Sequence, residues 1–200
     1  MVCYLVRHGK DDGSVRGGWS SSPLTEEGVQ QVNTLVEYLD KVQISFEIKH
    51  VYSSDLERAK QTASPIAKRL HLPITLLSEF REANNGVLAG MDNERAKLLY
   101  PGLFWNTLEW EEKYPGGESP KDFYERICNA WGYYANEWAR QNENILLVTH
   151  SGVMNIILSL IHGEEYSNRS KARKIPHTTL VPLTFEHGHW IEISNAKSTT

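Results

Sequence analysis

Short apolar runs alternate with longer segments of helical periodicity along most of this chain, and the alternation limits its possible folds. Strands are predicted near residues 3–6, 48–53, 73–77 and 145–149, with a hairpin at 179–186 and 190–194. Helices are predicted at 26–40, 56–70, from 93 onward, 120–138 and 153–161. Strands that alternate with helices pair in parallel and are covered on both faces. We therefore expect an α/β fold, a three-layer α/β/α sandwich with a mostly parallel central sheet.

Length and composition indicate one domain. The 200 residues are 40% hydrophobic and 23% charged, as is typical of a globular protein. We expect residues 1–195 to form this domain and the polar residues 196–200 to be a tail. The segment 79–118 is rich in aromatic residues and has the length of a cover over an active site, although a satellite aromatic cluster explains it equally well. Trp105 and Trp110 in this segment, together with Trp19, are candidates to shape a substrate pocket.

Charge and cysteine content argue against several classes of protein. The formal net charge is −4, so the chain lacks the basic character of a general nucleic-acid binder. Two cysteines, Cys3 and Cys128, are too few for a disulfide framework, and a reducing, cytoplasmic location is expected. The apolar run at 153–161 is too short to span a bilayer, and the first residues lack the pattern of a secretory signal. We expect neither a membrane nor a nucleic-acid partner.

Three segments have residue types that are typical of helix N-termini. Thr25 is a predicted N-cap, residues 54–57 have the form of a capping box, and Pro120 follows a predicted cap at Ser119. Arg58 lies in the first turn of the second helix, where a lone cation is unfavourable because that end carries partial positive charge. A bound phosphate would reverse the penalty. A solvated arginine is the alternative interpretation.

Two histidines directly follow predicted strands. Arg7 and His8 come after the first strand, and His150 comes after the fourth. The carboxyl ends of parallel strands meet at one edge of a sheet, where α/β proteins form ligand crevices. We therefore expect these side chains to share one crevice with Arg58. Taken alone, Arg-His-Gly is too short to establish a function, since short motifs recur by chance.

Such a crevice suits phosphoryl transfer. Arginine forks bind phosphate oxygens through paired hydrogen bonds, and a neutral histidine is a nucleophile. His8 is the candidate nucleophile, while Arg7, Arg58 and His150 are candidates to bind the phosphoryl oxygens. Backbone amides near Ser151 and Gly152 are further candidates for these oxygens.

The leaving alcohol requires a proton donor. A carboxylic acid shielded from water can remain protonated near neutral pH, and Glu82 is the candidate. Once the alcohol has left, the same carboxylate can activate water to release phosphate. Glu79, three residues earlier, is the alternative.

The order of these motifs resembles the histidine phosphatase superfamily, also called phosphoglycerate mutase-like proteins. The resemblance covers most of the chain, and it implies that superfamily's fold. It also implies that His8 is the phosphorylated nucleophile, with Arg7, Arg58 and His150 as phosphate ligands and Glu82 as proton donor. The matching residues are Leu5-Val6-Arg7-His8-Gly9, Pro23-Leu24-Thr25 with Gly28, Ser53-Ser54-Asp55-Leu56 with Arg58 and Thr62, Arg81-Glu82 with Gly86 and Gly90, Pro115-Gly116-Gly117-Glu118-Ser119, and Val148-Thr149-His150-Ser151-Gly152.

The loop at 9–23 departs from that pattern. Superfamily members commonly follow the Gly with a glutamate, a threonine or serine, and then an asparagine that contacts the substrate phosphate. Here a lysine and two aspartates follow, the loop holds no asparagine, glutamine or threonine, and it is a few residues shorter. Ser14, Arg16 and Lys10 are the candidates to replace the missing contact. The departure bears on which substrate is bound rather than on the core chemistry.

Other chemistries lack their motifs. The sequence has no Walker loop, dinucleotide fingerprint or His-Glu-x-x-His zinc motif, and Thr149 stands where a nucleophile elbow at Ser151 needs glycine. Asp11 and Asp12 are expected to be solvated rather than to bind a metal. His187 and His189, at the predicted hairpin turn, are expected to be exposed.

A phosphatase is the favoured function. We expect a phosphoric monoester hydrolase of the histidine acid phosphatase type that acts on a small phosphorylated metabolite through phosphohistidine at His8, with neither metal nor cofactor. The first alternative is a cofactor-dependent phosphoglycerate mutase, although those enzymes resemble longer chains with an insertion after the glutamate region. The second is a phospho-ligand-binding protein without turnover, although binding alone needs neither nucleophile nor proton donor. The oligomeric state is left open.

Overall fold

A computed structural model describes residues 1–44, 47–170 and 173–193. The predicted tail at 196–200 and the end of the last predicted strand lie outside these residues. The strands are β1 (Val2–Arg7), β2 (Ile48–Ser53), β3 (Ile74–Leu76), β4 (Asn144–Thr149), β5 (Leu180–Glu186) and β6 (His189–Glu192). The helices are α1 (Glu26–Lys41), α2 (Glu57–Leu70), α3 (Asn93–Leu99), α4 (Pro120–Gln141) and α5 (Ser151–His162).

The strands form one sheet in the order β3-β2-β4-β1-β5-β6. β3, β2, β4 and β1 run parallel to one another, whereas β5 is antiparallel to both of its neighbours, β1 and β6, so the predicted mostly parallel sheet is confirmed. Alternate residues of β1 face opposite sides. Cys3 and Leu5 pack into a core cluster with α4 and α5, while Tyr4 and Val6 pack into another with α1 and α2. These two cores make the three-layer α/β/α sandwich that the sequence predicts.

The register brings three chain segments to one edge of the sheet. Arg7 pairs with Thr149 across β1 and β4, and Ser53 pairs with Val148 across β2 and β4. The residues that follow these strands are thereby side by side. The His8 amide donates to the Thr149 carbonyl (3.0 Å), and the chain after β2 bonds to β4 in the same way. The predicted crevice therefore has its framework at the carboxyl ends of β1, β2 and β4.

Two helix starts match the sequence prediction. The Thr25 hydroxyl accepts from the backbone of the first turn of α1. Ser119 and Asp122 form a reciprocal capping box at the start of α4, with Pro120 in the first turn. The aromatic and aliphatic residues at helical spacing along α4 are buried, as expected of a core-facing stripe, and include Phe123 and Trp138.

The predicted capping box before α2 is wrong. Leu56 occupies the N-cap position, and no side chain caps this helix in the described structure. The Ser54 hydroxyl accepts from the Leu56 amide (3.3 Å) and lies 2.8 Å from the Nε2 atom of His150. Because this hydroxyl is engaged with a histidine from another strand end, it is not available to the third residue of the helix.

The β5–β6 hairpin turns at His187 and Gly188, which have φ angles of 51° and 84°, and His187 and His189 are exposed as expected. Pro182 lies within β5, which has neighbours on both sides. The Pro182 carbonyl accepts from the Ile193 amide beyond the end of β6, while the proline nitrogen has no N–H to donate to the ladder.

Within the described part of the chain, no helix is both long enough and apolar enough to cross a membrane.

Candidate active site

His8 stands at the end of β1 with its side-chain tautomer defined by one hydrogen bond. Its Nδ1 atom lies 2.7 Å from the Gly9 carbonyl oxygen, which only accepts, so Nδ1 carries the proton. The other ring nitrogen, Nε2, therefore keeps its lone pair. The Nε group of Arg58 donates to this lone pair at 3.3 Å. His8 thus presents an unprotonated nitrogen toward Arg58.

His8 is also held in its neutral form. Its side chain is only 4% exposed. Burial, reinforced by the positive charges of Arg58 and Arg7, holds the pKa of His8 well below its usual value of 6.5. A neutral imidazole with a free lone pair is the form that attacks phosphorus.

Arg58, in the first turn of α2, is fully enclosed rather than solvated, with 2% of its surface exposed. Its Nη2 group donates to the Gly18 carbonyl (2.7 Å), and its Nη1 group donates to the Ser20 carbonyl (3.4 Å). Both acceptors belong to the loop at 9–23. This loop therefore wraps the guanidinium and fixes it beside His8.

Arg7 is the last residue of β1 and directly precedes the nucleophile. It donates to the Ile175 carbonyl and to the Nε2 atom of His177 (2.8 Å). Burial, with a contribution from Arg7, lowers the pKa of His177 to about 4, so His177 is neutral and accepts this bond. The ring of His177 lies 5.6 Å from that of His8. Sequence reasoning missed His177, because 170 residues separate it from Arg7 and no local pattern marks it.

His150 lies at the end of β4 with its ring centroid 5.0 Å from that of His8. It is fully buried, and its Nε2 atom is paired with the Ser54 hydroxyl. Its Nδ1 atom is buried without a hydrogen-bond partner among the described residues. Burial and the nearby Arg58 charge hold the pKa of His150 well below 6.5, so the ring is neutral. When the Ser54 hydroxyl donates to Nε2, Nδ1 carries the ring proton and can donate it to a ligand oxygen.

Glu82, not its rival Glu79, lies at this edge of the sheet. One carboxylate oxygen accepts from the Gly152 amide at the start of α5 (3.0 Å), and the other accepts from the Ala83 amide (3.1 Å). Glu79 is exposed and points toward Tyr134. The Gly152 amide, a predicted hydrogen-bond donor to the phosphoryl oxygens, thus donates to Glu82 instead.

Two side chains hold the Glu82 backbone: Trp19, a predicted pocket residue, and Arg126, which the sequence analysis did not single out. The indole of Trp19 donates to the Glu82 carbonyl (2.7 Å), and Arg126 donates to the same oxygen (3.1 Å). Arg126 is itself anchored by a two-point contact with Glu118. The Glu82 loop is therefore positioned from both α4 and the loop at 9–23.

Asp11 is half-buried beside the nucleophile rather than solvated, which overturns the expectation for this residue. A ligand atom from each of His8, Asp11 and His177 lies within 4.8 Å of the other two. Two guanidinium groups, Arg7 and Arg58, border the same space. Because they repel a metal ion, the charge of this cluster favours an anion. Asp12 is exposed, as expected.

Of the two serines predicted to bind substrate, Ser14 is exposed on the loop at 9–23, whereas Ser151 lies next to His150. Ser14 is exposed, and its backbone bonds to Asp12 and Asn93 on the outer side of the loop. Ser151 begins α5 next to His150 and lines a cavity together with Glu82 and Gly152.

This cavity measures about 540 Å³ and extends away from Glu82 and Gly152. Trp105, an aromatic residue of the segment 79–118, is part of its wall, whereas Trp19 supports Glu82 and Trp110 packs on Tyr124 and Tyr166 outside it. The segment also forms a small core of its own around Leu88 and Leu108. The aromatic residues in the cavity wall are Phe104, Trp105, Tyr114, Phe123 and Tyr166.

The neutral histidines of the site predict a pH-dependent stability. His8, His150 and His177 have pKa values below 6.5 in the fold, so the unfolded chain binds more protons than the folded one as the pH falls below 6.5. Their contribution is fully present above this pH and is lost as the pH falls toward the folded values. We expect the free energy of unfolding to drop by at least about 2 kcal/mol between about pH 7 and pH 5.

Urea unfolding at several pH values measures this drop. Replacing His150 with glutamine is expected to reduce the slope of the free energy of unfolding against pH by the amount that corresponds to about one proton. Replacing the exposed His189 is expected to leave this slope unchanged. A free energy of unfolding that is constant over this range would contradict the prediction.

Comparisons with known proteins agree with the fold and with the order of the motifs. The family model of the histidine phosphatase superfamily (branch 1) matches residues 3–196. The chain is 29% identical to the uncharacterised phosphatase PhoE of Bacillus subtilis, over 94% of this chain and 90% of that protein. It is 30% identical to the 2,3-bisphosphoglycerate-dependent phosphoglycerate mutase of Rhizobium johnstonii, over 91% of this chain and 88% of that protein. The alpha-ribazole phosphatase from Shigella flexneri superposes with a TM-score of 0.80 at 23% identity, covering 96% of this chain and 95% of that one. The resemblance seen in the sequence is confirmed, and the chain belongs to branch 1 of the histidine phosphatase superfamily.

Proposed function

We propose that this protein is a phosphatase that hydrolyses small phosphate monoesters through a phosphohistidine at His8, without a metal ion. The observation that carries the proposal is the state of His8, whose unprotonated Nε2 atom faces Arg58 while its ring is kept neutral. A nucleophile in this form needs no activating metal. Membership of a superfamily of phosphatases and mutases supports the same reaction class.

In the first step, the Nε2 lone pair of His8 attacks phosphorus, and the bond from phosphorus to the alcohol oxygen breaks. Protonated Glu82 gives its proton to the departing oxygen. In the second step, the Glu82 carboxylate takes a proton from water as the water oxygen attacks phosphorus. The phosphorus–nitrogen bond breaks, its electron pair returns to Nε2, and phosphate leaves with Glu82 again protonated.

Three cationic or polar side chains stabilise the charge on the transferring group. Arg7, Arg58 and the unpaired Nδ1 of His150 surround His8, and donors placed in advance around a developing charge supply the largest part of many rate enhancements.

The leaving group occupies the cavity beside Glu82. Its volume and aromatic wall fit an alcohol larger than glycerol-sized metabolites, and Trp105 packs edge-on against Phe123 there. Trp105→Ala is expected to lower kcat/KM for bulky aryl phosphates about tenfold relative to small alkyl phosphates. Trp110→Ala, which removes an indole outside the wall, is the control. Equal losses on large and small substrates would exclude Trp105 from leaving-group binding.

Hydrolysis of a panel of phosphate monoesters, measured with a chelator present, tests the proposed function. Turnover in the chelator, together with an acid-labile phosphoryl group that mass spectrometry locates on His8, is the expected result. Turnover that requires added metal would contradict it, as would a phosphorylated residue other than His8.

The same panel tests mutase activity, which the 30% identical relative from Rhizobium johnstonii favours. The chain spans 88% of that protein, so chain length does not separate the two activities. A mutase would transfer phosphate between positions of a phosphoglycerate and depend on a bisphosphate primer. Substrate binding with neither hydrolysis nor transfer would identify a phospho-ligand-binding protein.

A further inference from the structure

Arg58 is a buried cation whose charge must be balanced inside the protein. Two of its nitrogens donate to the neutral carbonyl groups of Gly18 and Ser20, which supply hydrogen bonds but no negative charge. An enclosed guanidinium without an anionic partner is strongly destabilising. The third nitrogen, Nε, faces His8, on the side where a phosphoryl group has to sit.

Asp11 supplies the anion on that side. One of its carboxylate oxygens lies 3.4 Å from the Nε atom of Arg58, and the other lies 3.9 Å from the Nε2 atom of His177. The carboxylate is only 18% exposed, so water screens its charge weakly. It is also close to a ring nitrogen of His8. The carboxylate therefore lies in the space that an oxygen of a phosphoryl group bound at His8 would take.

Glu82 does not take this role. Both of its carboxylate oxygens are bonded to backbone amides, those of Gly152 and Ala83. Among the described residues, Asp11 is the acidic side chain in ion-pair contact with Arg58.

We propose, on the basis that His8 and Arg58 form the phosphoryl-transfer site, that the Asp11 carboxylate is an internal anion that competes with phosphate and with phosphoryl substrates for Arg58. In the empty protein Asp11 balances the buried guanidinium. A phosphate group that enters must displace it, and the displaced carboxylate repels the bound phosphate. The residue thereby weakens the binding of both substrate and product at this site.

Asp11→Asn tests the proposal, because it removes the charge and keeps the shape. Binding of inorganic phosphate by the full chain is measured by calorimetry at one pH and ionic strength. Asp11→Asn is expected to bind phosphate about tenfold more tightly than the wild type. Asp12→Asn is the matched control: it removes the same charge one residue away, from an exposed side chain bonded to Ser14, and is expected to change binding less than about twofold.

Thermal unfolding gives a second readout that a general charge effect would not reproduce. Without phosphate, Asp11→Asn is expected to melt at a lower temperature than the wild type because Arg58 has lost its anion. Saturating phosphate supplies an anion and is expected to abolish this difference. If Asp11→Asn does not fold without phosphate, it is purified in phosphate, and the phosphate dependence of its melting temperature is compared with that of Asp11→Ser, which also lacks the carboxylate.

Phosphate binding that is unchanged or weaker in Asp11→Asn would overturn the proposal, as would an equal gain in Asp12→Asn or the absence of binding in every variant. These measurements need no turnover. A failure of the proposed function would instead be seen as a wild-type protein that binds phosphate but never carries it on His8.

Discussion

His8→Gln is expected to reduce kcat/KM by roughly 10⁴-fold or more, because the amide of glutamine has no nucleophilic lone pair on nitrogen. Glutamine remains polar and can keep a hydrogen bond to Arg58 or to the Gly9 carbonyl, both of which His8 contacts now. The loss is therefore expected without collapse of the sheet edge. Steady-state kinetics on an aryl phosphate and trapping of the phosphorylated protein measure it.

The control is His189→Gln, which changes an exposed histidine of β6 in the same way. It is expected to retain full activity and full phosphorylation. If His8→Gln retains more than about a tenth of the wild-type rate, the nucleophile is another group and the proposed mechanism is wrong.

Gly152→Ala is expected to disable proton donation while sparing the nucleophile. A Cβ atom on Gly152 would lie 2.2 Å from one carboxylate oxygen of Glu82 and 3.0 Å from its Cδ atom, so the carboxylate must move away. The displaced group is the end of a flexible side chain, and alanine favours the first turn of α5, in which Gly152 lies, so the fold is retained. We expect kcat for alkyl phosphates to fall about 10²-fold, and kcat for activated aryl phosphates to fall much less.

Glu82→Gln is expected to show the same selective loss, since leaving groups that depart without a proton do not need the acid. Gly132→Ala provides the matched control, because Gly132 lies on the exposed side of α4 with open space around its position. Losses of equal size on alkyl and aryl phosphates would exclude Glu82 as the proton donor, and so would full activity of Gly152→Ala.

The fold was largely predictable because hydrophobic periodicity is a local property. The strand β2 has the predicted bounds, and α1 ends one residue later than predicted. The capping box at Ser119 and Asp122 was also predictable, since its two partners are three residues apart. The prediction failed at Ser54, where a hydroxyl suited to a cap is drawn to His150, a residue 96 positions away.

In the site, too, some residues were predictable from local sequence pattern and others depended on distant segments. His8, Arg58 and His150 were expected in one crevice because parallel strands present their carboxyl ends together, and the structure places their side chains side by side. Glu82 could not be separated from Glu79 by sequence, because the choice depends on which of them reaches the start of α5.

Asp11 and His177 illustrate what lies beyond local pattern. An aspartate in a loop rich in glycine and serine is typical of solvated surface, yet Asp11 is drawn inward by the buried charge of Arg58, which belongs to another element. His177 reaches the same cluster from the chain before β5. Segment type follows from interactions between near neighbours in sequence, whereas strand order, burial and the choice of electrostatic partner depend on distant segments and arise only when the sheet is assembled.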